Sequence, residues 1–155
     1  MAIERVGVIG AGQMGAGIAH VAALAGKAVV LVDVDAALAE KGLAVVRKNL
    51  GRQVEKGKVT AEAAEAALAR IAVSGDLAAL ADADLVVEAI VENEEVKRGL
   101  FSRLDALLQP GAILASNTSS ISITRLAAAT DRPEHFIGIH FMNPVPLMQL
   151  VELIR

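Results

Sequence analysis

The stretch Gly10-Ala11-Gly12-Gln13-Met14-Gly15 follows the aliphatic residues Val6, Val8 and Ile9 and opens directly into a helical pattern. Few folds place these elements in that order. Gly10 permits a tight turn, Gly12 lets the backbone approach a pyrophosphate, and Gly15 lets the helix lie close to the strand. Gln13 and Met14, between these glycines, are expected to contact the cofactor with them, and the helix start beside them offers free N–H groups and a positive end that suit an anion. Glycines spaced this way are a weak signal alone, and a turn that merely starts a helix is the plain alternative. A carboxylate adds weight. Asp33 closes the second aliphatic run, 18 positions after Gly15, where it can accept hydrogen bonds from ribose hydroxyls and repel a 2′-phosphate. The next residues, Val34 and Asp35, bring no cation to welcome that phosphate, so NAD is expected rather than NADP.

Short aliphatic runs recur at residues 6–9, 28–32, 71–74, 85–89, 112–115, 136–140 and 149–154, separated by longer helical stretches. Strands alternating with helices predict an α/β fold, a Rossmann-type doubly wound, mostly parallel sheet. The first helix, residues 14–25, is apolar nearly all round and ends at Gly26, as a helix covered by neighbours would. Residues 36–70 form an unusually long insert after the second strand, divided near Gly57, Lys58 and Val59 with Thr60 placed as a cap. It reads as a helical hairpin. A further helix starts after Asn93, carries Val96, Leu100, Leu104 and Leu107 at helical spacing, and stops at Pro110-Gly111. Its polar face is expected to hold Glu94, Glu95, Lys97 and Arg98.

Composition removes several classes of function. The 155 residues carry 15 Lys+Arg against 18 Asp+Glu, a net charge of −3 that argues against a nucleic-acid partner. Three Phe and no Trp or Tyr leave no platform for stacking bases. Cysteine is absent, which excludes disulfides and thiolate zinc sites and suits a cytoplasmic location. No metal site is expected. The mean hydropathy of +0.51 is positive, yet no apolar run approaches the roughly 20 residues that a bilayer requires. No membrane partner is expected either, and residues 1–155 read as one domain.

A second concentration of polar residues lies near the C-terminus. Asn117-Thr118-Ser119-Ser120 ends one strand, and His140-Phe141-Met142-Asn143-Pro144 ends another, at the carboxyl edge where ligands bind in such sheets. Glu152 lies 12 residues beyond His140, past the Pro144-Val145-Pro146 bend, on a strand able to turn back beside it. A carboxylate on one imidazole nitrogen would orient the ring and make the other nitrogen a better base. Each member has an ordinary reading when taken alone. His140 would be a core histidine, Ser119 a cap hydroxyl, Glu152 an exposed strand residue and Asn143 a pre-proline turn. His20 and His135 receive no role.

Taken together, these residues resemble the NAD-binding domain of the 3-hydroxyacyl-CoA dehydrogenases, which include bacterial 3-hydroxybutyryl-CoA dehydrogenases. The resemblance covers nearly the whole chain. It runs from residues 8–19 through Val87-Glu88-Ala89-Ile90-Val91-Glu92-Asn93 to Ser116-Asn117-Thr118-Ser119-Ser120 and the His140 block. It implies that His140 is the general base and Glu152 its partner, with Ser119 and Asn143 binding substrate oxygens near the reacting carbon. Glu92 and Lys97 would contact the cofactor, along with Asn117, and Lys48 and Lys56 on the hairpin would meet coenzyme A phosphates. The implied reaction is NAD-dependent oxidation of an (S)-3-hydroxyacyl-CoA to the 3-ketoacyl-CoA, within a homo-oligomer.

Members of that family continue into a mostly helical second domain that closes the cleft. The sequence stops at Arg155, so it reads as a truncated NAD-binding domain that binds cofactor and turns over poorly by itself, with an apolar face inviting self-association. Two alternatives stand beside this one: a non-catalytic NAD-binding module, and a different GxGxMG dehydrogenase acting on a free hydroxy acid.

Overall fold

The structure, a computed structural model, describes residues 2–155. The aliphatic runs become strands β1 (Arg5–Ile9), β2 (Ala28–Val32), β3 (Ile71–Ser74), β4 (Leu85–Glu88), β5 (Ile113–Ser116), β6 (Phe136–Phe141) and β7 (Val151–Ile154). They form one sheet in the order β3-β2-β1-β4-β5-β6-β7. Every pair is parallel except β6 with β7. The chain travels outward from β1 to β3, then crosses to β4 and travels the other way. That reversal opens a crevice at the carboxyl ends of β1 and β4.

Helices cover both faces, so the strand interiors are apolar on both sides. Alternate residues serve alternate faces: Val8, Leu31 and Val87 pack under α1 (Gln13–Leu24), α2 (Ala36–Glu55) and α3 (Ala61–Ala69). Ile9, Val32, Val86 and Leu114 pack under α4 (Glu94–Leu107) and α5 (Ile123–Ala127). The expected hairpin is α2 with α3, turned at Gly57 (φ 72°). Thr60 caps α3 by accepting from the Ala63 N–H at 3.1 Å. His20 is a core residue where α1 meets α2, with its Nε2 2.8 Å from Gln53 Oε1.

Two features depart from expectation. The short helix α5 and the 3₁₀ turns Leu77–Leu80 and Pro133–His135 have no counterpart in the sequence reading, because one turn of helix is too short to show a period. The second departure concerns the phase of α4. Its buried side chains are Lys97, Phe101 and Leu104, while Val96 is 49% exposed. Lys97 therefore does not belong to the solvated face. The reason lies outside the helix, in the carboxylates described below.

Beyond α4 the chain is anchored by a buried guanidinium. Arg132 Nε donates to Asp105 Oδ1 at 2.6 Å, and its other nitrogens donate to the Gln109, Ala112 and Asp105 carbonyls at 2.6, 3.2 and 3.0 Å. The side chain thus satisfies carbonyls that the end of α4 leaves open. Burial opposes ionisation of Asp105, but the Asp131 N–H and the Arg132 charge outweigh it and hold the carboxyl below its usual range. A depressed folded value means that this stability is present at neutral pH and is lost in acid, as pH falls through that depressed value. Arg132→Met should cost roughly 3–5 kcal/mol, since it strands a partly buried carboxylate and several carbonyls. Urea unfolding measures this, and a loss under about 1 kcal/mol would contradict the anchoring role.

Among the described residues, no helix is long and apolar enough to cross a membrane. Exposed apolar side chains gather near the C-terminus, with Leu147, Leu150 and Leu153 all near 60% or more exposed.

Candidate active site

The crevice holds two cavities that share Ile90 as a wall. The larger, about 580 Å³, is framed by Gly10, Asp33, Val34 and Leu77 on one side and by Val96, Gly99, Leu100 and Arg103 on the other. Val96 and Leu100, two of the apolar residues at helical spacing on α4, line this cavity, and Leu100 also packs against the core. The smaller, about 190 Å³, is lined by Ala89, Ile90, Glu92, Lys97, Asn117, Ser119 and His140. His140, Ser119, Asn117, Glu92 and Lys97 therefore come together from three separate stretches of chain.

The glycine loop joins β1 to α1 beside the larger cavity, which Gly10 lines. Gly10 has φ 100°, and a Cβ there would lie 2.5 Å from the Ala89 carbonyl oxygen. At Gly15 a Cβ would lie 1.5 Å from the Gly10 carbonyl oxygen, so the helix approaches as closely as backbone allows. At Gly12 a Cβ would meet nothing within 4 Å. Protein packing does not require that glycine, and the space before it is open to a ligand. Gly12 is also the N-cap of α1, which has no side-chain cap and no acidic residue in its first turn. Its N–H groups thus remain available to an anion. Gln13 is exposed at that end, while Met14 packs against the core.

Asp33 stands at the end of β2, as expected. Its Oδ2 accepts from the Ala11 N–H at 2.8 Å and its Oδ1 from the Val34 N–H at 2.7 Å. It therefore ties the glycine loop to β2 and still offers lone pairs to the larger cavity. An uncapped helix end, an open approach at Gly12 and a carboxylate over a mostly apolar slot fit a dinucleotide.

At the smaller cavity, the Asn117 Oδ1 accepts from the Phe141 N–H at 2.8 Å, which turns its amide NH₂ away from β6. The buried charges were not foreseen. Glu88 at the end of β4 has no exposed surface, and its carboxylate accepts from Lys97 Nζ, Ser116 Oγ and the Ile90 N–H. Lys97 Nζ also lies 3.0 Å from Glu92 Oε1. Partial burial opposes ionisation of Glu92, but hydrogen bonds from Thr118 and Lys97, the Lys97 charge and Ser120 outweigh it and hold the carboxyl below its usual range.

The register places His140 directly opposite Glu152 in the antiparallel β6–β7 pair. Facing residues of this kind have Cβ atoms about 4.5–5.5 Å apart on one side of the sheet. Among the described residues no hydrogen bond joins the two side chains, and Glu152 is exposed. Asn143 lies in the exposed turn beyond β6 and lines neither cavity. Lys48 and Lys56 are exposed on and just beyond α2, and they too line neither cavity. Among the described residues no cluster of His, Asp or Glu is arranged to hold a metal ion.

A doubly wound sheet with this loop, acid and paired cavities defines a dinucleotide-binding domain of dehydrogenase type. Residues 5–155 match the family described as 3-hydroxyacyl-CoA dehydrogenase, NAD binding domain, and the chain belongs to that family. Its cofactor is NAD. The chain is 67% identical over 153 residues to a 3-hydroxybutyryl-CoA dehydrogenase of Bradyrhizobium diazoefficiens, covering 99% of itself and 52% of that protein. The crystal structure of an (S)-3-hydroxybutyryl-CoA dehydrogenase from Ralstonia eutropha superposes with a TM-score of 0.95 at 47% identity, over 98% of this chain and 54% of that one. The FadB2 protein of M. tuberculosis superposes at 0.96 with 49% identity, over 100% of this chain and 55% of that one. The chain spans about half the length of the curated relatives it matches.

Proposed function

We propose that the chain is the cofactor-binding domain of an NAD-dependent (S)-3-hydroxyacyl-CoA dehydrogenase, acting on substrates such as 3-hydroxybutyryl-CoA and carrying the catalytic pair His140 and Glu152. The single observation that supports this most is the meeting of His140, Ser119 and Asn117 around one small cavity that adjoins the dinucleotide slot. NAD, when bound, supplies the acceptor for the hydride that leaves C3. His140 takes the 3-hydroxyl proton, Glu152 orients and supports the imidazolium across the strand pair, and Ser119 donates to the substrate oxygen. Asn143, exposed at the rim, would reach the substrate from outside the cavity. Gln13 and Met14 hold the loop end near the pyrophosphate, and Asp33 the adenosine ribose. Lys48 and Lys56 could serve only the distal phosphates of coenzyme A. The enzyme is proposed to be cytoplasmic and to work as a homo-oligomer completed by a second, helical domain, with Leu147, Leu150 and Leu153 on the face that is covered.

Two measurements test this together. The chain should bind NADH at least tenfold more tightly than NADPH, and it should oxidise NADH on addition of acetoacetyl-CoA. Preference for NADPH would remove the role given to Asp33. Binding without any turnover would favour a non-catalytic NAD module, and activity on a free hydroxy acid a different dehydrogenase.

A further inference from the structure

Beside the smaller cavity two carboxylates share one ammonium. Lys97 is 1% exposed, and its Nζ contacts Glu88 Oε2 at 2.5 Å, Glu92 Oε1 at 3.0 Å and the Ile90 carbonyl at 3.4 Å. Glu88 is 0% exposed and is held besides by Ser116 and the Ile90 N–H. Glu92 is 45% exposed, and its second oxygen accepts from Thr118 and Ser120. Among the described residues no other cation lies within salt-bridge distance of either carboxylate.

One buried ammonium needs one carboxylate for neutrality. The second leaves the group at a net charge of −1, beside the cavity that also holds His140. Glu88 accounts for this arrangement, because it fixes Lys97 from below and leaves Glu92 at the open side. A nicotinamide ring is cationic in the oxidised cofactor and neutral in the reduced one. A fixed negative charge therefore discriminates between two ligands that are otherwise nearly the same shape.

We propose that Glu88 is a positioning residue: it pins the Lys97 ammonium beneath Glu92, so that the cavity keeps a surplus negative charge favouring NAD⁺ over NADH. This rests on the NAD reading above, with the nicotinamide at the smaller cavity. At an effective dielectric near 20, one unit charge roughly 12 Å away shifts relative binding about tenfold. For a two-electron couple, tenfold corresponds to about 30 mV in the potential of the bound cofactor.

The experiment measures dissociation constants of the purified chain for NADH, by fluorescence enhancement, and for NAD⁺, by displacement, at one pH. The ratio of NAD⁺ to NADH constants cancels any loss that both ligands share, including that from a purely structural defect. In Glu88→Gln the ratio should rise about tenfold, and in Glu88→Asp, which keeps the charge, it should stay within about twofold of the original. Glu92→Gln removes the other carboxylate at a half-exposed position and should raise the ratio similarly, so it decides the charge effect should Glu88→Gln not fold. An unchanged or lowered ratio in folded Glu88→Gln overturns the proposal, and so does an unchanged ratio in Glu92→Gln. In the Asp variant a ratio as high as in Gln overturns it too. Failure of the original chain to bind either nucleotide would instead sink the NAD reading, and this inference with it.

Discussion

Gly15→Ala should abolish NADH binding, with a loss above 100-fold, and should destabilise the fold by several kcal/mol. The added methyl would lie 1.5 Å from the Gly10 carbonyl oxygen and 2.7 Å from its carbon, both backbone atoms with no rotamer to yield. Relief requires α1 to withdraw from the loop. That helix is packed through Ala16, Ile18, Ala19 and Ala23, each at 2% exposure or less, so withdrawal opens voids along its length, and steric changes of this kind commonly cost 1–3 kcal/mol or more. Its N-terminus moves away from the pyrophosphate at the same time. Gly12→Ala is the matching control. Its methyl meets no protein atom within 4 Å, so folding should lose only about 1 kcal/mol from a poorer N-cap, while NADH affinity falls at least tenfold. Thermal melts and NADH titrations of the two variants separate close packing from ligand approach. A Gly15→Ala chain with unchanged melting temperature would show that the approach of helix to strand is not needed.

That contrast marks how much was legible in the residues themselves. Local rules located the seven strands, the hairpin turn at Gly57 and the caps Thr60 and Asn93, since each depends on neighbours within a few positions. The opposition of Glu152 to His140 was also readable, because the bend at Pro144-Val145-Pro146 leaves a strand little choice but to return. Lys97 and Glu88 were not. A lysine among Glu94, Glu95 and Arg98 looks solvated, and only topology reveals that β4 ends beneath it with a buried carboxylate. A faint signal existed, in that Glu88 interrupts an otherwise apolar strand. An unpaired charge at the end of a central parallel strand costs too much to be tolerated, so it implied a cation nearby. Arg132 escaped notice for the same reason, as its partners Asp105, Gln109 and Ala112 lie 20 or more positions away.

His140→Ala should lower the rate of acetoacetyl-CoA reduction by NADH about 10³-fold, within the range typical of losing a general acid–base, and should leave NADH affinity within about twofold. The imidazole is half-buried at the end of β6 and lines the smaller cavity, whereas the larger cavity, where most of the nucleotide would sit, does not include it. Glu152→Gln should cost less, about 10- to 100-fold, because the amide keeps shape but loses the charge that supports an imidazolium. The two effects should not add. A carboxylate acting only through the histidine has nothing to support once the ring is gone, so the double variant should match His140→Ala within about twofold. Register makes this specific. His140 pairs with Glu152, Ile139 with Leu153 and Phe141 with Val151, so a slip of one residue would bring an apolar side chain to the ring and carry Glu152 to the opposite face. Steady-state rates of the three variants decide the matter. Full additivity would mean that Glu152 acts independently of the ring, and a His140→Ala chain retaining a tenth of the original rate would remove the histidine from the proton transfer.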